Sequence, residues 1–140
     1  MKRNKYFAKK RVIGGIEFDS IAESEFYLLL KSDKTVKGIQ LQPEFQIIDD
    51  YMVDCGRCAG TGQKYNDRTG NYNKCKLCKG QGARRKSGAK YTADFRVTYI
   101  DGHVDVIDVK GGRNSRNFTL RRKLFEIETG RELKIARKTR

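Results

Sequence analysis

Two copies of the pattern C-x-x-C-x-G-x-G, at residues 55–62 and 75–82, constrain this 140-residue chain more than any other feature. All four cysteines fall in the two copies, and sixteen residues separate Cys58 from Cys75. The stretch 55–82 is otherwise Gly, Lys, Asn and other polar types, so it has almost no apolar side chains to fold around. Two C-x-x-C knuckles instead present four thiolates as a tetrahedral cage, the arrangement zinc takes in closed structural sites. The trailing glycines let backbone N–H groups turn in toward sulfur. The pattern predicts a structural Zn²⁺ on Cys55, Cys58, Cys75 and Cys78, with no open ligand position and no chemistry of its own. A disulfide framework needs an oxidising compartment, and a redox C-x-x-C has no use for a duplicate. The expected organisation is a discontinuous core, residues 1–54 and 83–140, interrupted by a zinc-binding insert over 55–82.

Hydrophobic periodicity predicts the elements of the core. Residues 12–18 hold a short apolar stretch broken by Gly14 and Gly15, a turn or hairpin signal. Asp19 and Ser20 open a helix through about Lys31, with Ala22, Phe26, Leu29 and Leu30 as its buried face. Residues 39–48 read as a strand with an irregularity at Pro43, or as two short strands. Farther on, Tyr91, Ala93, Phe95, Val97 and Tyr99 form one strand face, with Thr92, Asp94, Arg96 and Thr98 on the other. Asp101-Gly102 is a hairpin turn, and the partner strand runs from about His103 to Lys110. A second helix is expected over 118–128, with Leu120, Leu124 and Ile127 inward and Gly130 as its C-cap. Residues 133–136 supply a last strand. The order is helix, strand, strand, strand, helix, strand, an α/β pattern.

Charge indicates the partner. The net charge is +14, and it is unevenly spread. Residues 1–15 contain six Lys/Arg and no acid, and residues 113–140 contain ten Lys/Arg against three Glu. Residues 16–54 run the other way, with nine acids against three Lys. Basic arms around an acidic centre fit a polyanion-binding surface surrounding a divalent-metal site. Arg113, Arg116, Arg121, Arg122 and Lys123 cluster next to that centre as candidate phosphate contacts, although helical geometry cannot put all of them on one face. In the insert, Lys64, Arg68, Lys74, Lys76 and Lys79 are equally well phosphate contacts or a solvated basic face.

The acids suggest what happens at that centre. Side chains alternate along a strand, so Asp108 and Lys110 point one way while Ile107 and Val109 point the other. Asp94 lies on the neighbouring strand across the hairpin. Two carboxylates suit a hard cation, Mg²⁺ or Mn²⁺, and Lys110 beside it would orient or deprotonate a water attacking a phosphodiester. A third acid is expected from the first helix, Glu23 or, as the fallback, Glu25. Ser20-x-x-Glu23 is also a capping box, which uses the same residues to start the helix. His103 is the only histidine, which excludes two-histidine ribonucleases, His-metal nucleases and Ser-His-Asp hydrolases.

Taken together, Phe18-Asp19-Ser20-x-x-Glu23, Leu41-Gln42-Pro43-x-Phe45, Tyr91-x-Ala93-Asp94-Phe95 and Asp108-Val109-Lys110-Gly111 resemble the PD-(D/E)xK nuclease superfamily, and within it a group of small phage-encoded proteins. The resemblance implies an αβββαβ restriction-endonuclease-like core, a mixed central sheet flanked by helices. It implies Mg²⁺-dependent endonuclease activity with Glu23, Asp94, Asp108 and Lys110 as the site and the three acids as metal ligands. Some members are dimeric Holliday junction resolvases, so branched or duplex DNA, a homodimer and a phage role in recombination, replication or packaging are expected. The two cysteine repeats are themselves similar to the zinc-binding repeats of DnaJ-type chaperones. Asp108 stands where Glu is common in the superfamily, and the zinc insert departs from the group. Gln42 falls near the expected site in the resemblance.

The alternative reading is a zinc-containing regulator that binds nucleic acid without cutting it, the acids then being surface residues. A DnaJ-like accessory for unfolded protein is disfavoured by the basic charge and short apolar content. No apolar run approaches the roughly 20 residues that span a bilayer. The basic N-terminus leads into no apolar signal core, so the expected location is the cytoplasm, that of the host if the chain is phage-encoded.

Overall fold

Local signals set each element in the computed structural model, which describes residues 9–111 and 115–137. A hairpin of β1 (Arg11–Ile13) and β2 (Ile16–Phe18) turns at Gly14 and Gly15. The helix α1 (Ile21–Ser32) follows, with Ser20 as N-cap: its Oγ accepts from the Glu23 N–H at 3.2 Å and donates to Glu23 Oε1 at 3.1 Å. That is the N-cap half of the capping box read from the sequence; the Glu23 carboxylate takes the Ser20 hydroxyl and not the backbone N–H of the box. Next come β3 (Val36–Leu41), β4 (Glu44–Ile48), β5 (Tyr51–Asp54), β6 (Gln63–Asn66), β7 (Asn71–Lys74), β8 (Ala83–Lys86) and β9 (Ala89–Thr92). The chain closes with β10 (Phe95–Tyr99), β11 (Val104–Lys110), α2 (Arg116–Thr129) and β12 (Leu133–Arg137). Gly130 caps α2 at φ 68°, its N–H bonded to Glu126 O at 2.9 Å.

The chain divides into two units. One is Met1–Phe45 with Tyr91–Arg140, and the other is Gln46–Lys90. The second is wider than the cysteine-bearing stretch 55–82, because the antiparallel β5–β8 ladder extends it on both sides.

In the first unit a mixed sheet has the order β12-β11-β10-β3. Strand β10 is antiparallel to both β3 and β11, and β12 is parallel to β11. A parallel neighbour needs a crossover, which α2 supplies. The register aligns Phe95 with Ile107 and Leu41. Phe18, Leu30, Phe95, Val97 and Ile107 bury together there, and the Phe26 ring of α1 lies 5.6 Å from that of Phe95. Burying a side chain of this size contributes about 1.5–3 kcal/mol. Alternation sends Val106, Asp108 and Lys110 to the opposite face. There Phe125 of α2, fully buried, packs on Tyr91 and Phe45, with ring centroids 5.5 and 4.9 Å away.

Of the two readings of residues 39–48, the two short strands are found, β3 and β4, and they join different sheets. Three local expectations are corrected. Residues 91–99 are not one strand: β9 pairs with β4, the chain bends at Ala93 and Asp94, and β10 begins afresh. In α1, Leu29 is exposed while Ser24 is buried. In α2, Leu120 and Ile127 face solvent, and the buried residues are Phe118 and Phe125. Both stripes have helical spacing, and the larger aromatic area takes the inward side.

Candidate functional site

Strand β11 positions the centre of the site. Asp108 and Lys110 share one face, with Lys110 Nζ 3.8 Å from Asp108 Oδ2. Asp108 is only 3% exposed, and both of its oxygens are bonded. Oδ1 accepts from the Asp94 N–H at 3.0 Å, and Oδ2 accepts from the Tyr91 hydroxyl. In return Asp94 Oδ2 accepts from the Val109 N–H at 2.8 Å. The bend before β10 and strand β11 are thus laced together, each aspartate's carboxylate on a backbone amide of the other segment. Lys110 is held from the other side, its Nζ 4.3 Å from the centre of the Phe118 ring. A carboxylate has about four lone-pair positions, so these bonds fix the groups without exhausting them.

Glu23 comes from the first turn of α1 and lines a cavity of about 140 Å³ with Asp94, Gln42, Phe18, Leu41 and Phe95. Glu25 lines a different cavity with Ala22, Phe26, Leu29, Val109 and Ala136, so Glu23 is the helix acid that shares space with Asp94. Gln42 has the left-handed φ of 48°, an uncommon conformation for a residue with a side chain, and its N–H bonds Asp94 O at 3.0 Å. Strained backbone of this kind is found at ligand sites more often than elsewhere.

The electrostatics are those of crowded acids. Burial pushes the Asp94 carboxyl up to about 7, opposed by the Val109 N–H and reinforced by the charges of Asp108 and Glu23. Glu23 is also raised, first by burial, with the Ser20 hydroxyl working against it. Tyr91 is raised by burial and by its bond to Asp108. Groups that resist ionising alone ionise readily once a cation shares the space. The three carboxylates are neighbours but not a closed cage. Among the described residues, only the four cysteines bring three or more ligand atoms all within 4.8 Å of one another.

The remaining candidates are scattered. Arg113 lies outside the described residues. Arg116, Arg121 and Lys123 are exposed on α2, with the Arg121 guanidinium 5.3 Å from the Tyr91 ring centre. Arg122 turns inward to Glu126 at 3.5 Å and Glu132 at 3.8 Å. His103 caps the hairpin turn through Asp101 and stacks on Tyr99 at 4.1 Å. Sequence reasoning missed Tyr91, because an unbroken strand over 91–99 puts it on the Phe95 face.

The cysteines form the second site, inside the unit Gln46–Lys90. All four are buried, with Sγ separations of 3.9 Å for Cys55–Cys75 and 3.7 Å for Cys58–Cys78. A Zn–S bond of about 2.3 Å gives a tetrahedron edge of about 3.8 Å, so the cluster is compatible with a structural zinc site. The Gly62 and Gly82 N–H groups donate to Cys58 and Cys78 Sγ, each at 3.2 Å. Burial raises the Cys58 thiol, but the Gly62 N–H and the neighbouring thiols outweigh it and bring it to about 6. Cys75 is lowered, chiefly by the Cys78 N–H, and Cys78 is raised by burial. The knuckles interlock: Cys55 N–H bonds Gly82 O, and Cys75 N–H bonds Gly62 O, both at 2.8 Å.

Among the described residues, no helix is long and apolar enough to cross a membrane. The family described as "Protein of unknown function (DUF1064)" matches residues 3–140, so the chain belongs to that family. No curated protein and no solved structure matches it.

Proposed function

We propose that this DUF1064 member is a metal-dependent DNA endonuclease with a restriction-endonuclease-like core, acting on branched or duplex DNA as a homodimer in phage recombination, replication or packaging. The observation that carries the reading is the lacing of Asp94, in the bend before β10, with Asp108 of β11, Lys110 beside Asp108 and Glu23 lining the Asp94 cavity. The oxygen donors suit a hard cation, and the raised proton affinity of Asp94 and Glu23 marks a place short of positive charge. Asp94, Asp108 and Glu23 would hold Mg²⁺ or Mn²⁺, which supplies charge neutralisation on the phosphoryl oxygens. The chain's own groups do the rest. Lys110 orients the attacking water and steadies charge on the phosphate, its ammonium fixed between Asp108 and the Phe118 ring. Tyr91 and the Asp94 amide hold Asp108 in place. Exposed Arg116, Arg121 and Lys123 grip flanking phosphates.

The insert holds a structural Zn²⁺ on its four cysteines. Its role is to fold a unit with few apolar residues.

Supercoiled plasmid and synthetic four-way junctions, incubated with Mg²⁺ or with EDTA, test the activity. Mg²⁺-dependent nicking that is lost in Lys110→Met is the expected result. Binding without nicking under any divalent metal would leave the second reading, a zinc-containing nucleic-acid-binding regulator. The open spacing of the carboxylates favours that reading.

A further inference from the structure

The unit Gln46–Lys90 displays more than a metal staple requires. Its β6–β7 hairpin places Tyr65 directly opposite Tyr72, with ring centroids 5.4 Å apart in an edge-on contact. Both rings are largely in solvent, 56% and 69% exposed. Beside Tyr65 runs a groove of about 490 Å³ lined by Arg57, Lys64, Arg68, Lys74 and Lys76, with Asp67 as its one acid. Among the described residues none of these five cations makes an ion pair. The unit has ten Lys/Arg against four Asp and no Glu, a surplus of six positive charges before any thiolate forms. Arg57 and Lys76 sit inside the two C-x-x-C knuckles, and the stem of Lys74 lies against Gly80. The cysteine knuckles therefore set where Arg57, Lys74 and Lys76 stand.

We propose that the insert is a binding element for unpaired nucleotides: Tyr65 and Tyr72 offer ring faces to bases, and the adjoining groove of Arg57, Lys64, Lys74 and Lys76 takes the phosphates. Exposed rings next to cations are the combination single-stranded nucleic acid requires, since duplex bases are already stacked on one another. A purely electrostatic patch would have no use for the rings. The inference deepens the preceding reading and rests on it only for the partner, a polynucleotide.

Fluorescence anisotropy on the full chain in Mg²⁺-free buffer tests it, with labelled oligo-dT against a blunt duplex of equal length. The double variant Tyr65→Ala/Tyr72→Ala is expected to bind oligo-dT roughly tenfold or more weakly, with the duplex changed by less than about twofold. Lys64→Ala/Lys76→Ala weakens both substrates and flattens the salt dependence by about one to two contacts. Zinc content and thermal midpoint are read on each variant. Should the alanines unfold the hairpin, Tyr72→Leu keeps apolar bulk without a ring face and Tyr72→Phe keeps the ring; only the leucine should lose oligo-dT affinity. Oligo-dT affinity unchanged in zinc-loaded ring-less variants, or equal loss on both substrates, overturns the proposal. Plasmid nicking by the wild type separates the two ideas: ring-dependent oligo-dT binding without nicking removes the nuclease and leaves the binding element. Nicking with ring-independent binding does the reverse.

Discussion

Replacing Gly62 with alanine probes the cysteine module where its two halves touch. Gly62 has φ 77°, and a Cβ there would lie 2.5 Å from Gly80 O and 3.0 Å from Gly80 C. Two penalties add. Left-handed backbone costs an L-residue about 1–2 kcal/mol. The clash is with a backbone carbonyl, which cannot rotate away, so one knuckle must shift against the other. That shift strains the 2.8 Å bond from Cys75 N–H to Gly62 O and the 3.2 Å contact from Gly62 N–H to Cys58 Sγ. Losing such bonds costs about 1 kcal/mol each, for a sum of roughly 3–4 kcal/mol, a large share of the 5–15 kcal/mol typical of a domain. Gly70→Ala isolates the first penalty. Its φ is 69°, and its Cβ would meet nothing nearer than Tyr65 Oη at 4.0 Å. Urea unfolding of the full chain and the rate of zinc release to a chromophoric chelator are the assays. Gly62→Ala should lower the midpoint at least about twice as far as Gly70→Ala and speed release. Gly82→Ala, with Gly60 O at 2.4 Å, should match it. Equal effects at Gly62 and Gly70 would refute the interlock.

Further outcomes follow from the carboxylate site. Lys110→Met should lower cleavage by roughly 10²–10⁴-fold with DNA affinity kept within severalfold; a parallel fall in affinity would make Lys110 a binding residue instead. Tyr91→Phe removes a donor from buried Asp108 and should cost about 1–3 kcal/mol in urea unfolding, whereas an unchanged midpoint would show the bond carries no weight. Because the folded Asp94 carboxyl titrates near 7 rather than at its ordinary 3.8, the folded state holds that proton more tightly. Its contribution to stability is therefore full below about pH 4 and fades as pH rises through 7. Asp94→Asn should flatten that decline in Mg²⁺-free buffer, and a steeper decline in the variant would contradict the burial argument. Cys75→Ser should lose zinc and stability or DNA affinity and spare the chemical step on any folded fraction; normal zinc content and folding would show the cage is dispensable.

Much of the architecture was legible from short-range signals. The N-cap at Ser20, the C-cap at Gly130, and the alternation that puts Asp108 with Lys110 all depend on neighbours within a few residues. The cysteine repeat was equally plain, since four ligands at that spacing close on one point whatever surrounds them. Of the helix acids, Glu23 lines a cavity with Asp94, and the fallback Glu25 lines another.

Long-range packing settled what periodicity left degenerate. Helix α2 has two apolar stripes; Tyr91 and Phe45 beneath Phe125, and Lys110 against Phe118, explain why the two phenylalanines turn inward while Leu120 and Ile127 do not. Tyr91 itself became a partner of Asp108 because β9 pairs with β4 and not with the sheet containing β10. Spacing along a chain specifies which side chains share a face, because backbone geometry repeats. Which face is then buried depends on surfaces brought together from distant segments, and that competition is decided by the total area removed from water.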